Sequence, residues 1–253
     1  MAVATSDLEL HEWLTRRPGR TLARMEMDEL CAELRPLAGR QMVQVGSAFG
    51  HVDPFSDYGE FLQRSRVVST VAPAHYGRDD VVVGRGDDLP FQSDSVNALV
   101  LPHALELAEE PHKVIREAHR VLAPEGYLIL SGFNPWSLAG SAKLVMRRPN
   151  APWQSRWFGA GRVRDWLALL GFQPISARQG WLRRTGHILG YGDADAHLFT
   201  GQAVTSFAAG VYVLAARKKV VWMRPIVSRW RVRRPLSAVG LAETSTQATS
   251  RDG

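Results

Sequence analysis

Four short segments of this 253-residue chain carry side chains of types and spacing that could do chemistry. Val45-Gly46-Ser47-Ala48-Phe49-Gly50 is a tight turn in which Gly46, Ala48 and Gly50 let a backbone approach a nucleotide or a carboxylate. Arg85-Gly86-Asp87-Asp88 sets a guanidinium, able to meet a carboxylate or another anion, beside two acceptors. Pro102-His103, with Glu106 three residues on, offers a ring that could orient a substrate or act as a base near neutral pH. Gly132-Phe133-Asn134-Pro135-Trp136-Ser137 joins an amide to a large aromatic, which suits a pocket rim. Each has a plainer alternative: a structural turn, solvated loop acids, a histidine packed against the next helix, a tryptophan plugging the core. No Ser/His/Asp arrangement for nucleophilic catalysis is visible. Cys31, the one cysteine, can form no intrachain disulfide and leaves no thiolate cluster, so no metal site is expected.

Elements must position these segments. Thr21 to Leu37 reads as an amphipathic helix through Leu22, Met25, Leu30, Leu34 and Leu37, ended by Gly39. From there strand-like and helix-like segments alternate, the mark of a parallel sheet with helices on both faces. Strands are expected at Met42–Val45, Arg66–Val71, Val81–Val83, Ala98–Leu101, Tyr127–Leu130, Phe172–Ala177 and Val211–Ala215. Before the fifth lies a clear helix, with Pro111 in its first turn and Val114, Ile115, Ala118, Val121 and Leu122 on one face. A second helix ends at Trp166 to Gly171. Sheets of this kind place ligands at the carboxyl ends of their strands, where all four segments fall.

The stretch from Gly84 to Leu130 carries Leu89-Pro90-Phe91, Arg120-Val121-Leu122 and Pro124-Glu125-Gly126 in an order and spacing that resembles class I S-adenosylmethionine-dependent methyltransferases of the type 11 group. The segments Leu101 to Glu106 and Gly132 to Ser137 are similar to those of a proteobacterial subgroup. The resemblance covers roughly residues 40 to 216. It implies an α/β fold: a seven-stranded Rossmann-like sheet, mostly parallel with an antiparallel last strand, helices on both faces. It also implies S-adenosylmethionine as cofactor, held by Gly46, Ala48, Gly50, Arg85, Gly86, Asp87, Pro102 and His103. Methyl transfer would proceed by proximity, with His103 and Asn134 as candidate catalytic residues.

Departures from the family pattern are concentrated where the cofactor would lie. Gln44 stands for the acid of the first strand, Ala48 for the middle glycine, and Asn97 for the Asp that opens the fourth strand. No carboxylate ends the second strand, where Ser69-Thr70-Val71-Ala72 follows, and Arg85 replaces the Asp expected at the adenine. Two lost charge-assisted bonds would remove about 3 to 6 kcal/mol of binding unless another acceptor substitutes. Asp53, Asp57, Asp87 and Asp88 are the candidates.

Charge divides the chain. Residues 1–142 hold 13 Lys and Arg against 20 Asp and Glu, whereas residues 143–234 hold 17 against 3. The organisation expected is an N-terminal helical segment (1–39), a methyltransferase-like domain (40–216), a basic segment (217–235) and a disordered tail (236–253). The basic segment, with Trp222 and Trp230, suggests an anionic macromolecule such as RNA, or else a solvated face. Residues 183–202, glycine-rich and long for a connection, suggest a substrate lid. With no membrane-spanning run and no leader pattern, a cytoplasmic protein is expected. Two functions fit: a methyltransferase on an unknown acceptor, small molecule or anionic macromolecule, and a non-catalytic binding or regulatory protein that keeps the fold. A nicotinamide oxidoreductase is disfavoured by the lack of a GxGxxG turn.

Overall fold

In the computed structural model the strands are β1 (Ala38–Val45), β2 (Glu60–Val68), β3 (Val81–Val83), β4 (Val96–Pro102), β5 (Leu122–Phe133), β6 (Phe172–Gln179) and β7 (Val211–Lys218). The helices are α1 (Ala2–Thr15), α2 (Gly19–Leu34), α3 (Ala104–Leu107), α4 (Pro111–Val121) and α5 (Ala160–Leu169). The structure describes residues 2–16, 19–46, 48–49, 55–69, 79–137, 155–179 and 210–219. The proposed lid at 183–202, the basic segment beyond Lys219 and the tail lie outside them.

One sheet holds all seven strands in the order β3-β2-β1-β4-β5-β7-β6, parallel except for β7, which runs antiparallel to both its neighbours. β4 sits at its centre because Val96, Ala98, Leu99, Val100 and Leu101 are apolar on both faces, as a strand covered on both sides must be. On one face Val43, Leu99, Leu128 and Leu130 pack under Val114, Ile115 and Ala118 of α4 and Val163 and Leu167 of α5. On the other, Met42, Ala98, Val100 and Ile129 meet Leu30, Cys31 and Leu34 of α2. Burying each such leucine contributes about 1.5 to 3 kcal/mol. A third cluster caps the carboxyl ends: Leu10 and Leu14 of α1 against Ala48, Phe133 and Val211.

Element boundaries differ from expectation in ways the packing explains. α2 ends at Leu34, and Gly39 belongs to β1. A side chain there would strike Asn97, whose Cβ lies 2.6 Å from the place a Gly39 Cβ would take. So Gly39 permits a close approach of strands instead of ending the helix. β2 begins at Glu60, six residues before the expected start, and ends at Val68. Its first half is mostly exposed, Leu62 included, because only β1 pairs with it there, while β3 reaches only Arg66 to Val68. β5 likewise extends from Leu122 to Phe133, carried by seven pairings with β7. α1 has no counterpart among the elements expected from periodicity.

The family motif residues have visible structural work. Arg120 of α4 donates to the carbonyls of Leu89 at 3.0 Å and Phe91 at 3.0 Å, and pairs with Glu117 at 2.6 Å. Glu117 in turn accepts the Leu89 N–H at 2.9 Å. The Arg-Val-Leu and Leu-Pro-Phe segments are thus two halves of one clamp that fixes the loop after β3. Asn97 accepts from the amides of Arg40 at 2.9 Å and Gln41 at 3.0 Å. An amide oxygen serves there as a carboxylate would. Lys218, nearly buried, closes the end of α4 by donating to His119 O and Leu122 O, both at 2.7 Å, and pairs with Asp94 at 2.6 Å.

Candidate functional site

The carboxyl ends of the parallel strands β1, β3, β4 and β5 bring the described residues of all four segments to one edge of the sheet. After β1, Gly46 adopts φ 94°, open to glycine and strained for other residues, and donates its N–H to Val67 O at 2.8 Å. Gln44, 1% exposed, donates from Nε2 to Gly46 O at 3.1 Å, while its Oε1 is buried without a partner. Ala48 is 1% exposed beneath α1, and its carbonyl lies 3.2 Å from His11 Nδ1. Gly50 lies outside the described residues.

The loop after β3 folds on itself through an Arg85–Asp88 bridge. A Cβ built on Gly86 would lie 3.4 Å from Val45 Cγ1, so this loop borders the end of β1. Arg85 holds Asp87 in a two-pronged pair at 2.8 and 2.9 Å, with side chains 60% and 19% exposed. That hydrogen bonding keeps the Asp87 carboxyl below its usual range. Asp57 is exposed beside Ser56, and Asp53 is outside the described residues.

Beyond β4, Pro102 pairs with Ser131 of β5, and His103 turns the chain with φ 54° in the left-handed region, unusual for a bulky residue. The ring of His103 is fully buried. Nδ1 lies 2.8 Å from Glu106 Oε2 and Nε2 lies 3.0 Å from Glu26 Oε2 on α2. With both carboxyls ionised, each accepts from a ring N–H and the ring is an imidazolium. Burial opposes that charge, but Glu26 and then Glu106 outweigh it and raise the pKa to about 10. Burial raises the Glu106 carboxyl, an effect His103 partly offsets. Glu106 also accepts the Phe133 N–H, and Tyr212 of β7 stands close by, its hydroxyl pushed well up by burial and by Glu106. Glu26 Oε1 and Ser131 Oγ are buried with no partner.

Phe133 is the aromatic centre of this end. His103 lies 4.2 Å from its ring, Trp157 stacks at 4.9 Å and Trp13 of α1 meets it edge-on at 5.7 Å. Asn134, buried, donates its N–H to Gly210 O at 3.0 Å and accepts from Trp136 N–H at 3.0 Å through Oδ1. The turn so formed leaves Trp136 73% exposed, so it is a rim residue and no core plug. Sequence reasoning missed Glu26 and Tyr212. Glu26 had a signal: it interrupts the stripe Leu22, Leu30, Leu34 at the position where helical spacing calls for an apolar residue. Among the described residues no cluster of His, Cys, Asp or Glu is arranged to hold a metal, and no helix is long and apolar enough to cross a membrane.

Comparison with known proteins bears on this geometry. Residues 60–130 match the family model described as a methyltransferase domain. Protein YafS of Escherichia coli (strain K12), described as uncharacterised, is 42% identical over 106 residues, 40% of this chain and 44% of that one. An uncharacterised protein of Methanocaldococcus jannaschii is 31% identical over 100 residues, 39% of this chain and 49% of that one. The matched segment therefore spans less than half the length of either relative. Among solved structures, a chain from the complex between the Haloferax volcanii Trm112 methyltransferase activator and a methyltransferase superposes with TM-score 0.58. It is 17% identical, and the match covers 83% of this chain and 98% of that one. A Thermotoga maritima S-adenosylmethionine-dependent methyltransferase, described as a possible histamine N-methyltransferase, gives 0.54 at 18% identity over 82% and 93% of the two chains. At such identities the likeness is one of fold. Sheet order and the antiparallel β7 give this chain the fold of these methyltransferases, and within it residues 60–130 match a methyltransferase domain.

Proposed function

We propose that the protein is an S-adenosylmethionine-dependent methyltransferase whose cofactor site is rewired. The observation that supports this best is the turn after β1, where Gly46 opens the backbone and Gln44 Oε1 is a buried acceptor without a partner. An unmet acceptor at a strand end costs about 1 to 3 kcal/mol, which a ligand hydrogen-bond donor would recover. Gly46, Gln44 and Gly86 fit a cofactor in this place. The Asp87 carboxylate does so only if Arg85 yields it. When bound, the cofactor supplies a methyl group on a sulfonium sulfur, an electrophile that needs alignment more than acid or base assistance. The Haemonchus contortus phosphoethanolamine N-methyltransferase 2, 15% identical with TM-score 0.53, is described in complex with S-adenosylhomocysteine.

In this reading His103 and Asn134 act by position. His103 has both nitrogens committed to carboxylates, so it holds the end of β4 and does not take a proton from an acceptor. Asn134 shapes the turn that presents Trp136 at the rim. The acceptor is a small molecule or an anionic macromolecule drawn by the basic second part of the chain, and the protein works in the cytoplasm.

A second reading, a binding protein with a decayed cofactor site, is favoured by the absence of any carboxylate from residues 69–78 after β2. Calorimetric titration with S-adenosylmethionine and S-adenosylhomocysteine separates them. Saturable binding of both in the micromolar range supports the enzyme. Absence of heat at millimolar ligand supports the binding protein.

A further inference from the structure

We propose that the seam between α4 and α5, continued by Trp136 at the rim, is the surface on which a single-stranded polynucleotide lies, its phosphates met by Arg116 and Arg162 and a base stacked on Trp136. The inference deepens the methyltransferase reading and rests on it for calling the bound strand the acceptor. The surface itself rests on geometry and charge.

Residues 126–164, which run from β5 into α5, hold six Lys and Arg and no Asp or Glu. The two described ends of this stretch meet at the rim. A Cβ built on Gly159 would lie 3.3 Å from Trp136 Nε1, so the exposed indole adjoins the first turn of α5. In that turn Arg162 lies over the ring of Trp166 at 5.3 Å, and His112 of α4 meets the same ring at 4.1 Å. Arg116 follows His112 by one helical turn and so stands on the same face of α4. Arg116 and Arg162 are exposed, and neither has a carboxylate partner among the described residues.

Nearby acids do not cancel this charge. Glu110 pairs with Lys113, and Glu117 with Arg120. Glu109 and Asp165 are exposed, against Arg116, Arg156, Arg162 and Arg164. Arg156 donates to the carbonyls of Ala108 and Glu109, which take its hydrogens and leave its charge.

The alternation of rings and cations selects the occupant. Phosphates repeat along a strand as fixed charges, and unpaired bases offer faces to an aromatic ring, whereas a duplex hides those faces in its own stack. A membrane surface would call for apolar side chains presented together. Here the exposed Leu169 stands at the far end of α5, beyond the rings. Because Trp136 follows β5, a base stacked on it lies at the edge where the cofactor reading puts the methyl donor.

Fluorescence anisotropy of labelled oligouridine and oligothymidine, with the full chain and no cofactor, tests the surface. Binding should weaken steeply with salt. Arg116→Ala with Arg162→Ala should lower the slope of log affinity against log salt by about 1.4, from about 0.7 per phosphate. Trp136→Ala should weaken binding about tenfold with the slope unchanged, and Trp136→Phe should restore most of it. Arg40→Ala, at the other edge of the sheet, should change neither. Tighter binding of oligouridine names RNA as the strand, and the reverse names DNA. Ultraviolet cross-linking of a thiouridine oligomer should label the peptide that holds Trp136. Labels confined to residues beyond Lys219, an unchanged slope in the double variant, or no binding of either oligomer at low salt overturns the proposal. So does loss of binding to phosphatidylglycerol vesicles in Trp136→Ala while oligomer binding is kept, which would make the rim a membrane contact. If the strand binds here but S-adenosylmethionine does not bind, the enzyme reading falls and the surface stands; cofactor binding without strand binding gives the reverse.

Discussion

Two ion-paired clusters stand at the same edge of the sheet with nearly the same bond lengths and opposite surroundings. Arg85 and Asp87 meet at 2.8 and 2.9 Å with side chains 60% and 19% exposed. Glu26, His103 and Glu106 meet at 2.8 and 3.0 Å with side chains 0 to 1% exposed. Water screens the first, so the pair contributes little to stability and Arg85 can exchange Asp87 for another anion. No water competes with the second, and removal of one member leaves a charge with nowhere to go. Hydrogen-bond geometry alone would rank them together. Burial fixes the second in place, and exposure leaves the first able to exchange partners.

The sharpest way to break the contrast is His103→Ala. It strands two buried carboxylates and should cost about 3 to 5 kcal/mol of unfolding free energy, measured by chemical denaturation. A loss no greater than that of a surface substitution would mean the cluster is hydrated. Next in size is Arg120→Ala, which cuts the clamp between α4 and the loop of Leu89 and Phe91. About 1 to 2 kcal/mol should be lost, because the guanidinium's hydrogen bonds go while the Glu117 carboxylate keeps the Leu89 N–H as a donor.

A titration sharpens the comparison without mutation. His103 has a folded pKa raised to about 10, against an unfolded value near 6.5. Its stabilising contribution is thus complete below about pH 6.5 and is lost as pH rises through about 10. The melting temperature should fall between pH 7 and pH 10, and His103→Gln should flatten that fall. A rising curve would contradict a charged ring. The smallest expected effect is that of Arg85→Ala, which should leave the melting temperature where it is. It should also free Asp87 to accept from a ligand, and so change S-adenosylhomocysteine affinity without changing the fold. A large stability loss would place Arg85 with the buried cluster after all.

The structure also shows why restoring the family pattern residue by residue is a poor strategy. Ala48 is packed under Leu10 and Leu14, so Ala48→Gly removes a contact of α1 along with a Cβ. Arg85→Asp would set a carboxylate beside Asp87, where the present guanidinium neutralises it. The departures are coupled to their neighbours.

Periodicity and turn residues by themselves located the seven strands and the clear helix of Val114 to Val121, because apolar spacing acts over a few positions and needs no partner to be read, while the clamp motifs and the antiparallel last strand were read through the family resemblance. Arg120-Val121-Leu122 and Leu89-Pro90-Phe91 were visible as motifs, although their meeting was not. The four chemical segments were likewise visible, since each is contiguous and follows a strand. Only the tertiary structure decided what they touch. It set Glu26, 77 residues before His103 in the chain, against that ring, and so turned a candidate base into a buried cation. It laid α1 across Ala48, where a helix of weak amphipathic pattern gave no sign of its place. The physical reason is the same in both cases: charge state and access depend on what lies within a few ångströms, and sequence separation says nothing about that distance.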